Sequence, residues 1–215
     1  MRIVKSISEA EMVALFLATE YPSPRTHQHI QQVLQREGWS QGIIEQPNLR
    51  DGQENAQRRS ILGAYRGYGQ NTDYFKSLPL DAQYMDYFEG FPSDVQWEMA
   101  MLSRQELEQV KYIEYDYWVE LSGGSRLPRD GARTILAGDE VFGVSHQGVL
   151  QMAEAFRSGA RFPTLILVGK SPESLLVVLE GHMRLTAMFL APECLPDEME
   201  VIAGFSEKIE RWGCY

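Results

Sequence analysis

The clearest hydrophobic pattern in the chain lies near residue 180, where the spacing of apolar residues changes. Residues 175–179 form a continuous apolar run, which is typical of a buried strand. The run ends at Glu180-Gly181, and apolar residues then recur over 185–189 with the i, i+3, i+4 spacing of a helix. The pattern therefore predicts a strand, a tight glycine turn and a helix that begins within two residues of His182.

Further apolar patterns extend this arrangement through the C-terminal half of the chain. Residues 164–168 are a second candidate for a buried strand, and we expect it to lie beside the strand at 175–179. The same patterns predict helices at 132–137 and 148–157, a last strand at 199–205 and a helical turn at 207–212. Residues 112–120 alternate only in part, so a strand and a helix both stay open for them.

The N-terminal half is patterned mainly as helices. Ser8 and Glu11 have the Ser-x-x-Glu spacing of a capping box, which predicts a helix that ends near Tyr21. Ser103 and Glu106 repeat that spacing before a second, shorter helix. Two more helices are predicted at 26–36 and 55–65, and an aromatic-rich stretch runs from residue 74 to residue 97.

Together these elements predict an α+β fold. A mostly helical region, residues 1–110, precedes residues 111–215, which we expect to form a small mixed sheet with helices. The two regions are expected either as separate domains or as one continuous compact unit, since 215 residues suit both. No apolar run approaches the roughly 18 residues of a membrane span, and the chain has only two cysteines. We therefore expect a reduced, cytoplasmic protein without membrane association.

The net charge of −10 bears on the partners of the chain. Neutralisation of phosphates dominates nucleic-acid binding, so this charge argues against nucleic acid as the main partner. A site for a small anion is compatible with it, but such a site depends on local geometry rather than on the overall field.

The glycine turn has the features of an anion-binding site. A helix that begins after Gly181 exposes backbone N–H groups and the positive end of its dipole, which suit a phosphate. Arg184 lies in the first turn, where its guanidinium would add a bidentate phosphate contact. The alternative is a structural arginine paired with Glu180. Because the helix dipole disfavours a cation at a helix start, the pattern favours the ligand-binding interpretation.

Glu180 and His182 flank the glycine and are the candidate catalytic residues. Glu180 ends a strand at its carboxyl edge, where sites of α/β proteins collect, so it is a candidate base or a ligand of a phosphate-bridging metal. Histidine titrates near neutral pH and is a candidate general base. A salt-bridged glutamate and a neutral imidazole bonded to the backbone are the structural alternatives.

The sequence from Leu179 to Ala187, Leu-Glu-Gly-His-Met-Arg-Leu-Thr-Ala, resembles the signature turn of the ParB/sulfiredoxin superfamily. Members carry a strand that ends in an acidic or small residue and glycine, then two variable polar residues, an arginine and an apolar helix. The resemblance covers roughly residues 112–215 and implies a small mixed sheet with a ligand at the glycine turn. His182 stands where sulfiredoxins have a reactive cysteine and ParB proteins an acidic residue, so thiol chemistry is not implied.

The resemblance also implies a role for Arg126. In ParB-like domains an arginine in the loop after the first strand often faces the ligand. Gly123 and Gly124 precede Arg126, and their backbone N–H groups could cradle an anion. The alternative is a surface loop, since the Gly-Lys-Ser/Thr of a phosphate-binding loop is missing.

These features lead to hypotheses from different functional classes. The first is a protein that binds a nucleotide or another phosphate-bearing small ligand at the Gly181 turn, as a hydrolase or kinase with Mg²⁺ and ATP or CTP. The second is a non-catalytic interaction protein that retains the fold. A DNA-associated ParB-like protein ranks third, because only about 25 residues follow the Gly181 helix. His27 and His29 face different sides of a helix, so no protein-bound metal is predicted, and the oligomeric state stays open.

Overall fold

The computed structural model describes residues 1–70 and 87–215 of the chain. Tyr74, Phe75 and Tyr84 of the aromatic-rich stretch lie outside the described residues. The chain divides into two compact units: a helical unit, residues 7–94 and 211–213, and a sheet unit, residues 1–6, 95–210 and 214–215. Their contents confirm the predicted α+β class.

Residues 7–70 of the helical unit form α-helices with short connections. Its described helices are α1 (Glu9–Glu20), α2 (His27–Glu37), α3 (Gly42–Glu45) and α4 (Gly52–Arg66), followed by a 3₁₀ turn at Tyr68–Gln70. The predicted capping box begins α1: the Ser8 hydroxyl accepts from the Glu11 N–H, and the Glu11 carboxylate accepts from the Ser8 N–H. Asp51 caps α4 by accepting from the N–H groups of Gln53 and Glu54. Side-chain caps thus fix where both long helices begin.

The sheet unit contains a mixed sheet of five described strands. They are β1 (Arg2–Ile7), β2 (Gln96–Ser103), β3 (Leu165–Gly169), β4 (Leu176–Glu180) and β5 (Glu198–Phe205). Their order across the sheet is β1-β2-β5-β3-β4. The pairs β2–β5 and β3–β4 are antiparallel, and β3–β5 is parallel. The two strands predicted at 164–168 and 175–179 are therefore neighbours, as expected.

The last helix of the sheet unit packs against the two longer helices that precede it. In chain order the helices of this unit are α5 (Arg104–Leu107), α6 (Asp116–Leu121), α7 (Pro128–Ala137), α8 (Gln147–Arg157) and α9 (His182–Leu190), with 3₁₀ turns at Pro192–Cys194 and Ile209–Arg211. On one side of α9, Leu185 and Met188 join the core of the sheet. On another side, Ala187 and Leu190 pack in a second core with α7 and α8. Because α9 is buried on two sides, the turn before it is held in place.

The observed division of the chain differs from the predicted boundary at residue 110. β1 and β2 fall within the region predicted to be helical, and both belong to the sheet. β1 is exposed along nearly its whole length, so it lacks the alternation by which a half-buried strand is recognised. β2 contains two methionines and a glutamate, which are helix formers, and its strand state comes from pairing with β5. Residues 112–120, open to both states, include all of α6 except its last residue.

Candidate functional site

The Gly181 turn joins β4 to α9 directly. β4 ends at Glu180 and α9 begins at His182, as predicted. Gly181 has a φ of 109° and a ψ of 19°, a backbone conformation that favours glycine. A Cβ here would overlap Cδ2 of Leu165 and would lie 2.9 Å from Nη2 of Arg184. The turn therefore requires glycine, which occupies the N-cap of α9 without a side chain to cap the helix.

Glu180 and Arg184 form a buried ion pair across this turn. Nη2 of Arg184 pairs with Oε2 of Glu180, and the two side chains are only 6% and 11% exposed. Nη1 of Arg184 donates to the backbone oxygen of Pro163 at 2.7 Å. The guanidinium thus ties together the strand end, the turn and the loop before β3.

This environment is that of the structural alternative, whereas the direct phosphate contact predicted for Arg184 stays a prediction. A guanidinium that meets a ligand in solvent must be accessible, whereas Arg184 is 5% exposed and directs its contacts inward. The contacts of Glu180 and Arg184 match the structural alternative for both residues. Glu180 consequently faces a cation within the protein, rather than the open position that a catalytic base requires.

His182 is half-buried and lies against two aromatic rings. The ring centroids of His182 and Trp118 are 5.0 Å apart at 20°, and those of His182 and Tyr112 are 6.2 Å apart at 21°. The hydroxyl of Thr186 donates to the backbone oxygen of His182 at 2.7 Å. The Tyr112 hydroxyl, 2.5 Å from Oγ1 of Thr186, is then the donor, because Thr186 has a single proton. Burial raises the pKa of Tyr112, which keeps this hydroxyl protonated.

A second imidazole extends this arrangement. The ring of Tyr117 meets that of Trp118 edge to face at 4.9 Å, and its hydroxyl lies 3.4 Å from Nδ1 of His146. Nε2 of His146 is 3.0 Å from the backbone oxygen of Asp139. Because a carbonyl only accepts, Nε2 carries the proton of the neutral ring and Nδ1 is the acceptor. Four half-buried side chains thus form what we term the aromatic–histidine surface: Tyr117, Trp118, His146 and His182.

Arg126 contacts the other end of Tyr112. Its Nε donates to the backbone oxygen of Tyr112 at 2.9 Å, and its Nη1 lies 3.3 Å from the Glu114 carboxylate. Arg126 has a φ of 61°, which is rare for a residue other than glycine. The ring of Tyr112 lies beside His182, whereas Arg126 bonds to the backbone of Tyr112. The length of the tyrosine side chain therefore separates the contacts of Arg126 from those of His182. The structure brings Glu180, His182 and Arg184 together, and Arg126 supports the segment that carries Tyr112.

Sequence reasoning missed Tyr112, Tyr117, Trp118 and His146 as neighbours of the turn. The density of aromatic residues over 112–118 is visible in the sequence. This density does not show that the aromatic residues contact His182, because His182 lies far along the chain and approaches them only in the folded protein.

The described residues limit which chemistry is available at the turn. Within residues 1–70 and 87–215, no three His, Cys, Asp or Glu side chains are grouped so that they could hold a metal ion. The same part of the chain contains no helix that is long and apolar enough to cross a membrane. Apart from the Glu180–Arg184 pair, the groups next to the turn are the first-turn backbone of α9, the imidazole of His182 and the aromatic rings beside it.

Comparisons with protein-family models, with curated proteins and with solved structures find no match to this chain. The functional argument therefore rests on the local geometry of the Gly181 turn.

Proposed function

We propose that the chain binds a small phosphate-bearing ligand, a nucleotide in the first instance, at the Gly181 turn of a ParB/sulfiredoxin-like sheet unit. One observation carries the proposal. The helix α9 begins at a glycine N-cap with φ of 109°, and its first residue is a half-buried histidine. A helix start of this kind offers backbone donors and a favourable dipole to an anion.

In this proposal the residues of the turn have distinct roles. The first-turn backbone of α9 and the imidazole of His182 contact the phosphate. The buried pair of Glu180 and Arg184 positions the turn and does not touch the ligand. In a hydrolytic or phosphoryl-transfer reaction with Mg²⁺ and ATP or CTP, His182 would accept the proton of the attacking group.

The competing proposal is a non-catalytic interaction protein that retains this fold. The Glu180–Arg184 pair favours it, because the pair occupies two of the groups that the catalytic proposal first assigned to a ligand. The two proposals differ in whether the Gly181 turn binds any phosphate at all.

Thermal unfolding with and without ATP, CTP, GTP or inorganic phosphate, each with Mg²⁺, separates the two proposals. A ligand at a hundred times its Kd stabilises by about 2.7 kcal/mol, which for a protein of this size corresponds to about 5–10 °C. His182→Ala should reduce the shift because it removes the imidazole that faces the phosphate. His27→Ala in the helical unit is the matched control, since it removes an imidazole far along the chain from the turn, and should leave the shift unchanged.

The pattern of shifts decides the outcome. A shift with one nucleotide that His182→Ala reduces and His27→Ala does not supports the phosphate site. A shift that both variants reduce equally would place the ligand elsewhere or reflect lost stability. If none of the four ligands moves the midpoint, the phosphate site is wrong and the interaction protein is favoured.

A further inference from the structure

Tyr112 is a fully buried residue beside β4, the strand that leads into the candidate site. The residue before it, Lys111, pairs with β4: its N–H donates to Leu176 and its oxygen accepts from Val178, both at 2.9 Å. Tyr112 also exchanges two bonds with Arg126. The Arg126 oxygen accepts from the Tyr112 N–H at 2.7 Å, and the Arg126 Nε donates to the Tyr112 oxygen at 2.9 Å. The backbone of Tyr112 is therefore fixed relative to β4.

The side chain of Tyr112 reaches α9 through one other buried hydroxyl. Its Oη donates to Oγ1 of Thr186 at 2.5 Å, and Thr186 in turn donates to the backbone oxygen of His182 at 2.7 Å. Thr186 is fully buried as well. Because a buried hydroxyl without a partner is costly, folding favours keeping both bonds. Together they connect a residue fixed to β4 with the first residue of α9.

A glycine within α7 leaves the space that the Tyr112 hydroxyl occupies. Inside a helix, alanine is more favourable than glycine, so Gly131 needs a reason for its position. A Cβ on Gly131 would lie 2.9 Å from Oη of Tyr112 and 3.2 Å from its Cε2. Contacts this short would displace the hydroxyl from Thr186. The less favourable helix residue thus stands where a side chain would break the hydrogen bond.

The rings of Tyr112, Trp118 and His182 pack against one another. The centroid distances are 4.7 Å for Tyr112–Trp118, 5.0 Å for Trp118–His182 and 6.2 Å for Tyr112–His182, and the ring planes are inclined by between 20° and 32°. All three separations are those of packed ring pairs. A displaced Tyr112 ring would therefore move the imidazole, both directly and through Trp118.

We propose that Tyr112 is a positioning residue for the Gly181 turn, and that it holds the His182 imidazole and the start of α9 in the orientation that receives a phosphate. Its hydroxyl acts on the backbone through Thr186, and its ring acts on the imidazole by contact. Tyr112 does not touch the ligand, because it is fully buried. This role in binding rests on the proposed function, whereas the orientation of His182 can be measured without any ligand.

Three substitutions along the hydrogen bonds test this role. Gly131→Ala displaces the Tyr112 hydroxyl, Tyr112→Phe removes it, and Thr186→Val removes its acceptor. Each should shift the imidazole signals of His182 in the NMR spectrum of the ligand-free chain. In titration calorimetry, each should raise the Kd of whichever of ATP, CTP, GTP and inorganic phosphate binds by about three- to tenfold, the scale of one hydrogen bond. The His182 signals are those absent from His182→Ala.

Two further variants are controls. Thr186→Ser keeps a hydroxyl and should behave as the wild type. Tyr21→Phe matches Tyr112→Phe, because Tyr21 is also buried and its hydroxyl bonds to Gln31 and Gln41 within the helical unit. It should leave the His182 signals and the Kd unchanged. A merely structural role of Tyr112 would lower the thermal midpoint without moving the His182 signals of the folded chain.

Shifted His182 signals in Tyr112→Phe and Gly131→Ala, together with a raised Kd and wild-type behaviour of Thr186→Ser, support the proposal. His182 signals that stay in place in Tyr112→Phe and Thr186→Val overturn it. A Kd that no variant changes overturns the role of Tyr112 in binding and leaves the phosphate site intact. A wild type that binds none of the four ligands overturns the proposed function instead, and the His182 signals then decide by themselves whether Tyr112 positions the imidazole.

Discussion

Each of the two units contains a buried glutamate–arginine pair, but the neighbours of the pairs differ. In the helical unit, the Glu20 carboxylate accepts from the Tyr65 hydroxyl at 2.5 Å and from Arg66 at 3.0 Å. Arg66 also lies over the rings of Tyr65 and Tyr87, 4.6 and 5.4 Å from their centroids. In the sheet unit, Glu180 and Arg184 enclose a glycine turn whose next residue is a half-buried histidine.

The comparison shows why a buried ion pair does not identify a functional site. The attraction within such a pair mainly offsets the cost of removing two charges from water. The helical-unit pair is surrounded by aromatic rings and helps to hold α1 and α4 together. The sheet-unit pair instead fixes the start of α9, next to groups that can meet a ligand. The neighbours of the pair, rather than the pair itself, therefore carry the functional argument.

The largest expected effect comes from removing either arginine. Arg66→Ala and Arg184→Ala each leave a buried carboxylate without its cation and should lower the free energy of unfolding by about 3–5 kcal/mol. Arg59→Ala is the control, because Arg59 and Glu9 form an exposed pair and its loss should cost less than about 1 kcal/mol. Urea unfolding measures all three. A loss below that of the control for Arg184→Ala would show that Glu180 is not buried in solution.

A smaller effect should follow from Gly181→Ala. Alanine is strained at the positive φ of residue 181, and its Cβ would overlap Leu165. The free energy of unfolding should therefore fall by about 2–4 kcal/mol. Gly123→Ala separates the two causes, because Gly123 has a φ of 59° but no heavy atom within 4 Å of an added Cβ. It should cost only about 1–2 kcal/mol. Equal losses in the two variants would mean that the turn has room for a side chain.

The smallest of the three effects concerns pH. Burial raises the pKa of Glu20, but the charge of Arg66 and the Tyr65 hydrogen bond outweigh it, so the pKa lies below its ordinary value of 4.5. A carboxylate with a lowered pKa stabilises the fold above pH 4.5, and this contribution is lost as the pH falls through the lowered value. Unfolding of the wild type should therefore become easier in acid. Glu20→Gln should weaken that dependence, and an unchanged pH profile would contradict the assignment.

The sequence was sufficient for the elements with strong local signals. Capping boxes located the starts of α1 and α5, and a change of apolar spacing located β4, the Gly181 turn and α9. These signals act between residues that are close in the chain, so they are visible without the fold. Neither β1 nor β2 could be located in this way. Nearly every residue of β1 is exposed, and β2 becomes a strand by pairing with β5 near the other end of the chain.

The candidate site likewise has features that local sequence signals reveal and features that depend on residues distant in the chain. The sequence by itself determined that a glycine, a histidine and an arginine surround the start of a helix. Only the tertiary structure decided that Arg184 turns inward to Glu180 and Pro163, and that His182 lies against Trp118. The physical reason is that a side chain's direction depends on which partners can neutralise its charge or cover its ring. Those partners are distant in sequence, so no local pattern of residues contains them.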